Sequence, residues 1–556
     1  MNFDQILSAV GGFGKYQKIL YIWICLPQIL LAFHMMVSIF TGSTPPHHCR
    51  ESSISVAGNQ SHFLGTLSLN FSLSDSSCFS SDDLLESNRT ERVPCRQGWV
   101  YSKETFQSTT VTEWDLVCNK AGLNSLSSSI YMFGLLVGSV LFGAMADRYG
   151  RRFILLLSIA LQTGFGVAVA FAPNFSVYVI LRFLVGTTVS GVIINAFVLG
   201  TEWTCTKRRM LAGIFTDYAF GLGYMLLAGI AYLIRDWRKL QLAISAPGFL
   251  PKSMFPNADV NLAKSKLRRL IPLCVYLLDL LGIREMQNIT TPALSFECFL
   301  FSCVQVEKCQ ILDGGKRSYS AMDLVRTPQM RKRTIILFYI WFVNVLVYYG
   351  LSLGVSKLGT NLYLTQFVFG LIEIPARSLV LLVLPFSRRL SQSGFLAVGG
   401  LACLLMLAVP ADHPNVLTGL AMVGKFGITA SFAVVYVYTA EIFPTVLRQT
   451  GIGVSCMFAR IGGVLAPIIN MLHDHSLTTP LVIFGISPLL GAVLSLALPE
   501  TADRPLPDTV EDAENWDMRY YNVTFFTLVT VHLMCPCCSA SMTLNRISSR
   551  CHVVHM

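Results

Sequence analysis

Charged side chains are scarce in this chain: Asp, Glu, Lys and Arg make up 13% of its 556 residues, against about 25% in soluble domains. Hydrophobic residues make up 53%, and the mean hydropathy is +0.56. This composition excludes an ordinary soluble domain and indicates an integral membrane protein. The net charge of +10 does not indicate a nucleic-acid partner, because Lys and Arg fall mostly in short clusters between apolar runs, as membrane topology requires.

Motifs for catalysis are also missing. The sequence has no cluster at metal-ligand spacing and no nucleophile motif. The stretch GGKRS at 314–318 departs from a phosphate-binding loop at the residue after Lys316. CPCC at 535–538 has no second ligand pair at zinc spacing. We therefore expect neither an enzyme nor an ATP-driven pump, and neither a cofactor nor a metal.

Long apolar runs are what the sequence does contain. About 20 apolar residues cross a bilayer, and eleven runs have about that length: 19–40, 125–146, 153–172, 176–197, 211–234, 334–354, 361–385, 393–411, 415–439, 450–471 and 478–498. The first run is too long for the core of a signal peptide and has no small-residue cleavage pattern after it. The sequence predicts an all-α protein embedded in the lipid bilayer.

A long polar segment, 41–124, follows the first run. It carries four cysteines, which are Cys49, Cys78, Cys95 and Cys118. It also carries three glycosylation sequons, at Asn59, Asn70 and Asn88. Together they predict an extracellular, oxidising location with glycosylation and up to two disulfides, whose pairing the sequence leaves open.

The charges between the runs predict the topology. With the N-terminus in the cytoplasm, the loop 147–152 and the cluster 207–209 both fall inside, as the positive-inside rule prefers. The basic residues at 388–389 and 448 are also expected inside, which requires one more crossing between 240 and 333. That region has only a helix-like start at 240–250 and a short run at 270–283, for which a buried or interfacial segment is the alternative.

A weak internal repeat indicates two halves. Glu202 precedes Arg209 and Glu441 precedes Arg448 by the same spacing, each pair just past an apolar run. Parallel repeats of six spans are the design of major facilitator transporters. The stretch GAMADRYGRR (143–152) resembles the cytoplasmic loop motif of that superfamily.

Further motifs resemble the organic cation, anion and zwitterion transporter family, solute carrier family 22, within that superfamily. They are STTVTEWDLVC (108–118), GTEW (200–203), AEIFPTVLRQTG (440–451) and LPET (498–501). The stretch 348–377 most resembles the organic-anion branch, near the member that handles nicotinate and urate. The resemblance implies the major facilitator fold, with two six-helix bundles and an atypical or disrupted sixth span, in a multi-pass plasma-membrane protein.

The expected organisation combines the runs with this resemblance. It is a cytoplasmic N-terminus (1–18), a first span (19–40), a large glycosylated extracellular loop (41–124), the rest of an N-terminal bundle (125–250), an atypical segment and cytoplasmic loop (251–333), a C-terminal bundle (334–498) and a cytoplasmic tail (499–556) that is atypical after 516. Nothing at 251–319 or 517–556 resembles the family, and we interpret both segments as splice-variant or intron-derived sequence.

The resemblance implies gating roles for charges at the cytoplasmic ends of the spans, which hold the two halves together in one state and release them in another. These charges are Asp147, Arg148, Arg151, Arg152, Glu202, Arg209, Glu441 and Arg448. The alternative is that they only set the topology. The second-half copy, LPFSRR (384–389), departs from the family because no acidic residue precedes its arginines.

Ionisable residues inside the apolar runs are functional candidates, because each costs roughly 2.5–3.5 kcal/mol on insertion scales. We identify Arg182, Glu373, Arg377, Lys425 and Arg460, with His34 near the outer end of the first run. Arg182 stands in a stretch that resembles the superfamily's fourth-span motif, where an arginine is either structural or linked to coupling.

The second-half charges predict an anionic substrate. Glu373 and Arg377 are spaced to pair on one helix face, whereas Arg377, Lys425 and Arg460 together outweigh Glu373 and leave +2 on the cavity wall. In cation-transporting relatives the position of Arg460 looks like an aspartate, and anion-transporting relatives have basic residues at Arg460 and Arg377. Zwitterion transporters resemble this chain at Arg460, and Arg377 favours an anion.

The expected substrate-binding residues are therefore Arg460, Arg377 and Lys425, with Tyr348, Tyr349 and Phe367 among the aromatic walls. Ordinary helix packing is the alternative for each aromatic residue. The sequence predicts a transporter of small organic anions such as nicotinate or urate that works by alternating access. Exchange of one organic anion for another is one mode that this mechanism allows. The alternatives are an organic cation or carnitine-type zwitterion transporter, a transport-deficient splice form, and a membrane receptor or scaffold.

Overall fold

The computed structural model describes residues 15–50, 78, 95, 98–202, 209–248, 321–354, 360–410, 412–472, 476, 478–502, 504 and 506–515. The three sequons, the segment 251–319 and the tail after 515 lie outside the described residues. The side chains of Asp147, Glu202 and Arg209 also lie outside the description.

The described part of the first half is helical except for one short β-hairpin. Its helices are α1 (Lys15–Met36), α2 (Ser38–Thr41), α3 (Thr110–Trp114), α4 (Ala121–Tyr149), α5 (Arg151–Ala170), α6 (Phe175–Glu202), α7 (Arg209–Leu233) and α8 (Trp237–Ser245). The strands β1 (His47–Cys49) and β2 (Trp99–Tyr101) pair antiparallel in the loop between α2 and α3.

The second half repeats the long-helix pattern. Its helices are α9 (Pro328–Gly354), α10 (Leu362–Val383), α11 (Arg388–Leu405), α12 (Pro414–Ile442), α13 (Arg448–Met471), α14 (Thr478–Ser495) and α15 (Val510–Glu514). Within the described ranges, eleven helices are long and apolar enough to cross a membrane. The count agrees with the eleven apolar runs, and the all-α membrane fold is confirmed.

Two helix pairs join the two bundles. α7 of the first half packs against α10 of the second, and α4 packs against α13. Inside each half the main contacts are α4 with α6 and α1 with α7, and then α9 with α13 and α11 with α12. These two interfaces are the most extensive contacts between the bundles among the described residues.

Glycines allow the closest helix contacts. A Cβ on Gly134 would lie 2.4 Å from the carbonyl oxygen of Phe183, and one on Gly138 would lie 2.2 Å from that of Thr187. Both pairs bring α4 against α6 backbone to backbone. In lipid, where the apolar surroundings supply no hydrophobic drive between helices, such close packing is a main source of helix association.

Gly462 allows a similarly close helix contact for α13. A Cβ there would lie 2.3 Å from the carbonyl oxygen of Phe342 on α9, and Gly463 packs beside Val345 and Met132. These small residues therefore allow α9 to approach α13 closely. Because Met132 belongs to α4, this glycine pair lies where α13 contacts both its own bundle and the other one.

The loop between α2 and α4 is fixed by disulfides and by α3. The structure joins Cys49 to Cys95 and Cys78 to Cys118, which settles the pairing that the sequence left open. His47 lies near Cys78 and Cys118, but sulfurs joined to each other in a disulfide are not thiolate ligands for a metal.

The helix α3 connects this loop to the start of the sixth span. Thr109 and Thr112 form a capping box at its N-terminus. Glu113, on α3, pairs with Arg238 on α8 and accepts a hydrogen bond from the Trp237 indole at 2.6 Å. The helix α8, where the sequence predicts a sixth span to start, is thus a regular helix that Asp236 caps through the N–H groups of its first turn.

The close α13–α9 contact predicts that Gly462→Ala is destabilising. The new methyl meets a backbone oxygen, so α13 must move away, at a cost of about 1–3 kcal/mol. Thermal unfolding of the detergent-purified chain measures the loss. Gly453→Ala is the matched control, because it lies on the same helix with no atom within 4 Å of a new Cβ. Equal unfolding temperatures for the two variants would contradict this packing.

Candidate functional site

The site centres on the carboxylate of Glu373, which is fully buried in the middle of α10. Its Oε2 accepts a hydrogen bond from Nη1 of Arg377 at 2.7 Å, one helical turn along the same helix. Its Oε1 accepts a hydrogen bond from the Tyr348 hydroxyl on α9 and lies 3.6 Å from Nζ of Lys425 on α12. One carboxylate therefore connects three helices of the second bundle.

Arg377 reaches across to the first bundle. Its Nε lies 3.4 Å from Oδ2 of Asp217 on α7, and its Nη1 donates to the backbone oxygen of Asp217 at 2.9 Å. The guanidinium is buried, whereas the Asp217 side chain is 43% exposed. Arg377 is thus held between a carboxylate of its own helix and one of the other half, at the α7–α10 interface.

Lys425 is enclosed by aromatic and hydroxyl groups. Its Nζ donates to Oγ of Ser352 at 2.7 Å and lies 3.0 Å from the centroid of the Tyr348 ring. The side chain is fully buried. A desolvated ammonium on a ring face gains cation–π attraction, so Lys425 is stabilised by Tyr348 and Glu373 together.

Asp217 changes the charge count of the cavity. The sequence count set Arg377, Lys425 and Arg460 against Glu373 and gave +2. The structure adds Asp217, which the count omitted, so three cations face two anions and the sum is +1. An aspartate inside the apolar run 211–234 is itself a signal for a functional residue, and that signal was missed.

Arg460 stands apart from this network on α13. It is half-buried and lies within hydrogen-bonding reach of the Tyr349 hydroxyl on α9. Tyr131 of α4 and Tyr436 of α12 are close enough to interact electrostatically with the Arg460 guanidinium. Among the residues that the structure describes, no carboxylate forms an ion pair with Arg460.

Aromatic rings line the space between the two groups of charges. Tyr348 and Tyr349 meet edge to face at 5.3 Å, and Tyr348 lies 6.4 Å from Phe432. Phe432 is 5.4 Å from Tyr436, which in turn packs 4.4 Å from Trp341. The structure therefore brings the predicted Tyr348 and Tyr349 to the charges.

Phe367 was also predicted to line the pocket. Its side chain is 43% exposed, and in the described ranges no ring contact connects it with the tyrosines at the charges. Its role in substrate binding stays a prediction.

Tyr363, at the start of α10, joins the two bundles. Its hydroxyl donates to the backbone oxygen of Thr105 at 3.1 Å. Its ring stacks on Phe40 at 5.6 Å and meets Tyr232 and Phe106 at 5.6 and 5.8 Å. These partners all belong to the first half, so the two bundles are in contact around Tyr363.

Arg182 and His34 lie within the first bundle. Arg182 is buried, with its guanidinium 4.4 Å from the centroid of the Tyr131 ring. It also donates to the backbone oxygen of His34 at 3.4 Å. These contacts brace α6 against α4 and α1, which supports a structural role for Arg182.

A second charged cluster lies at the inner end of the second bundle. Arg388 Nε lies 3.2 Å from Oε2 of Glu441, and Thr501 donates to that same oxygen at 2.6 Å. Glu500 accepts hydrogen bonds from the Ser387 hydroxyl and from the backbone N–H of Arg388. No acidic residue precedes the arginines of LPFSRR in the sequence. In the folded chain, Glu500 of the LPET stretch contacts this segment instead.

Each of these contacts lies within the second bundle, so the cluster braces α11 against α12 and the end of α14. Burial alone raises the pKa of the Glu500 carboxyl, but hydrogen bonds from Ser387 and from nearby backbone N–H groups outweigh it and hold the pKa below its usual value. Glu500 is therefore an ionised anchor at neutral pH.

The other predicted gating charges whose side chains the structure describes are arginines on α4, α5 and α13. Arg448 donates to Oγ1 of Thr445 at 3.3 Å. Arg148 is exposed, with its guanidinium 5.6 Å from the centroid of the Tyr149 ring, and the two arginines that begin α5 are half-buried. A gating role for these charges stays a prediction.

Known proteins resemble this chain along most of its length. The family described as Major Facilitator Superfamily matches residues 118–467. Solute carrier family 22 member 6-B of Xenopus laevis is 36% identical, over 94% of this chain and 96% of its own length. Member 13 of Homo sapiens is 37% identical over 92% and 93%. The organic cation transporter protein of Drosophila melanogaster is 34% identical over 93% and 95%.

Among solved structures, the inward open conformation of the xylose transporter XylE from E. coli superposes with a TM-score of 0.57. It covers 90% of this chain and 100% of its own, at 16% sequence identity. The likeness at this identity concerns the fold.

The inner cluster predicts a pH-dependent stabilisation. Glu500→Gln removes charge-assisted hydrogen bonds, each worth about 1.5–3 kcal/mol, and lowers the unfolding temperature at neutral pH. Because the folded-state pKa lies below the reference value of 4.5, the stabilisation is fully present above that value and is lost as the pH falls through the folded-state pKa. Thermal unfolding across that range measures it.

Asp412→Asn serves as the control, since it removes a charge from an exposed position. We expect the difference between wild type and Glu500→Gln to narrow in acid and the Asp412 variant to follow wild type throughout. A difference that grew on acidification would contradict the assigned role of Glu500.

Proposed function

Because the chain belongs to solute carrier family 22 of the major facilitator superfamily, we propose that it carries small organic anions such as nicotinate or urate, with Arg460 binding their negative charge. Members of this family are multi-pass plasma-membrane transporters that work by alternating access. The relatives and structural neighbours named above are transporters, and the function proposed here is likewise transport.

The unpaired cation at Arg460 is the observation that carries the proposal. Arg377 and Lys425 already share Glu373, and Arg377 also contacts Asp217. A half-buried arginine without a carboxylate partner among the described residues leaves an uncompensated positive charge at reduced dielectric. An anionic substrate that supplies the missing charge is attracted there, and an organic cation is repelled.

The surroundings of Arg460 suit a flat aromatic acid. The guanidinium fork binds a carboxylate through two parallel hydrogen bonds and stays charged when it is desolvated. Tyr349, Tyr131 and Tyr436 approach it from three different helices, and their rings offer surfaces on which an aromatic anion stacks. Arg377 and Lys425 are proposed to contribute to the electrostatic potential around Arg460 while they remain bound to Glu373.

Alternating access fits the two cross-bundle interfaces. In the state described here the bundles meet at the outer end through Tyr363, and they meet at the level of the charges through Arg377 and Asp217. Opening to the outside requires the Tyr363 contacts with Phe40 and Thr105 to separate. Met132, Gly463 and Tyr349 lie where α4, α13 and α9 meet, so movement there changes the surroundings of Arg460.

A cation or zwitterion is the second candidate, and Asp217 favours it. Its carboxylate is 43% exposed and offers a place for a positive group near Arg377. A zwitterion of the carnitine type would set its carboxylate on Arg460 and its ammonium toward Asp217. The name of the Drosophila relative, organic cation transporter protein, points to the same class.

Uptake of labelled compounds into cells expressing the chain discriminates these candidates. The labelled compounds are nicotinate, urate, carnitine and tetraethylammonium. We expect saturable uptake of nicotinate or urate, reduced at least about 30-fold by Arg460→Ala because a buried charged contact is worth at least about 2 kcal/mol. Arg460→Lys retains the charge without the fork and is expected to keep part of the uptake.

Arg326→Ala is the matched control, because it removes an arginine that is 68% exposed and precedes α9 in the chain. Surface biotinylation confirms equal amounts of each variant at the membrane. Carnitine or tetraethylammonium uptake without anion uptake would favour the second candidate, and anion uptake that survives Arg460→Ala would overturn the role of Arg460. Surface-exposed wild type that takes up none of the four compounds would favour a transport-deficient form.

A further inference from the structure

We propose that Asp217 restricts the cavity to substrates with a single negative charge, because its carboxylate occupies Arg377 in the way that a second substrate carboxylate would. The inference rests on the proposed function and names a residue that determines specificity within it. It follows from the ion pair that crosses the two bundles and from the charge balance around it.

The contact of Asp217 with Arg377 resembles that of a bound anion. The carboxylate comes from α7 in the first bundle, approaches Nε of Arg377 at 3.4 Å, and is 43% exposed on its other side. Arg377 is buried and is fixed from behind by Glu373 at 2.7 Å. The solvent-facing position beside Arg377 is thus filled by a side chain of the protein itself.

The charge balance limits the substrate to one charge. Among the five charged groups of this network, Arg377 and Lys425 are offset by Glu373 and Asp217, and Arg460 keeps one positive charge. A monoanion on Arg460 balances these five groups. A dianion leaves one excess negative charge beside Asp217, and like charges at reduced dielectric repel strongly.

The two cationic positions have tyrosines as common neighbours. Tyr436 is near enough to both Arg460 and Asp217 to interact electrostatically with them. Tyr349 interacts in the same way with both Arg460 and Glu373. A short dicarboxylate that binds Arg460 through one carboxylate therefore directs the other toward Arg377. Asp217 stands at that position.

Loss of the Asp217 charge is expected to free Arg377 without displacing it. The backbone oxygen of Asp217 accepts from Nη1 of Arg377 at 2.9 Å, and this contact does not need the carboxylate. Glu373 also remains. Asp217→Asn should therefore leave Arg377 in place with one uncompensated charge facing the cavity, so that the cavity carries +2 and suits a dianion.

The test measures binding and uptake of a monocarboxylate and a dicarboxylate by the full chain. The probes are nicotinate and glutarate, and binding is read from the ligand-dependent rise of the unfolding temperature in detergent. Wild type is expected to bind nicotinate at least about tenfold more tightly than glutarate. Asp217→Asn is expected to bind glutarate at least about tenfold more tightly than wild type does, a change of about 1.4 kcal/mol, with nicotinate affinity changed much less.

Three variants separate specificity from structural damage. Asp217→Glu keeps the charge and should restore the wild-type preference. Asp217→Ser is a second neutral variant that should reproduce the effect of Asp217→Asn. Asp236→Asn removes a charge from the cap of α8, where asparagine caps equally well, and should leave the preference unchanged.

The outcomes separate this inference from the proposed function. If wild type binds nicotinate but the ratio of the two affinities is the same in Asp217→Asn, the inference is wrong and the proposed function stands. If wild type already binds glutarate as tightly as nicotinate, or if Asp236→Asn shifts the ratio equally, the inference is also wrong. If wild type binds neither anion in either assay, the proposed function fails and the inference fails with it.

Discussion

The buried carboxylate of Glu373 is the group on which the site depends. It is fully enclosed and contacts Arg377, Lys425 and Tyr348 at once. Two cations inside a membrane protein are stable only when an anion and hydrogen bonds compensate them. Glu373 supplies that compensation from α10 and joins α9 and α12 to the helix that contacts the first bundle.

The position of Glu373 also determines what the cavity offers to a substrate. Glu373 engages Arg377 and Lys425, whereas Arg460 forms no ion pair with a carboxylate among the described residues. Asp217 adds a second internal anion from the opposite bundle. The same contact crosses the α7–α10 interface, so movement of the bundles and the charge state of the cavity are physically linked.

Much of the fold was predictable from local pattern. Apolar runs long enough for a bilayer predicted the eleven spanning helices, because span length is fixed by membrane thickness. Gly462, two residues after Arg460 in one of these runs, lies directly against the backbone of α9. The pairing of Glu373 with Arg377 was also predictable, since one helical turn separates them.

Contacts between distant segments were not predictable in this way. Asp217 meets Arg377 only because α7 of one bundle packs on α10 of the other, and the sequence count of charges left it out. The ion pair of Glu441 with Arg388 joins α12 to α11, and the sequence repeat does not indicate it. Glu500 and the disulfide partners likewise depend on which chain segments meet in space, and neither spacing nor composition encodes that.

The most direct test of this account is a cryo-electron microscopy structure of the full chain with nicotinate bound. The account predicts that the carboxylate of the ligand lies within hydrogen-bonding distance of the Arg460 guanidinium, while Glu373 still contacts both Arg377 and Lys425. A ligand carboxylate bound to Arg377 or Lys425 in place of Glu373 would contradict it.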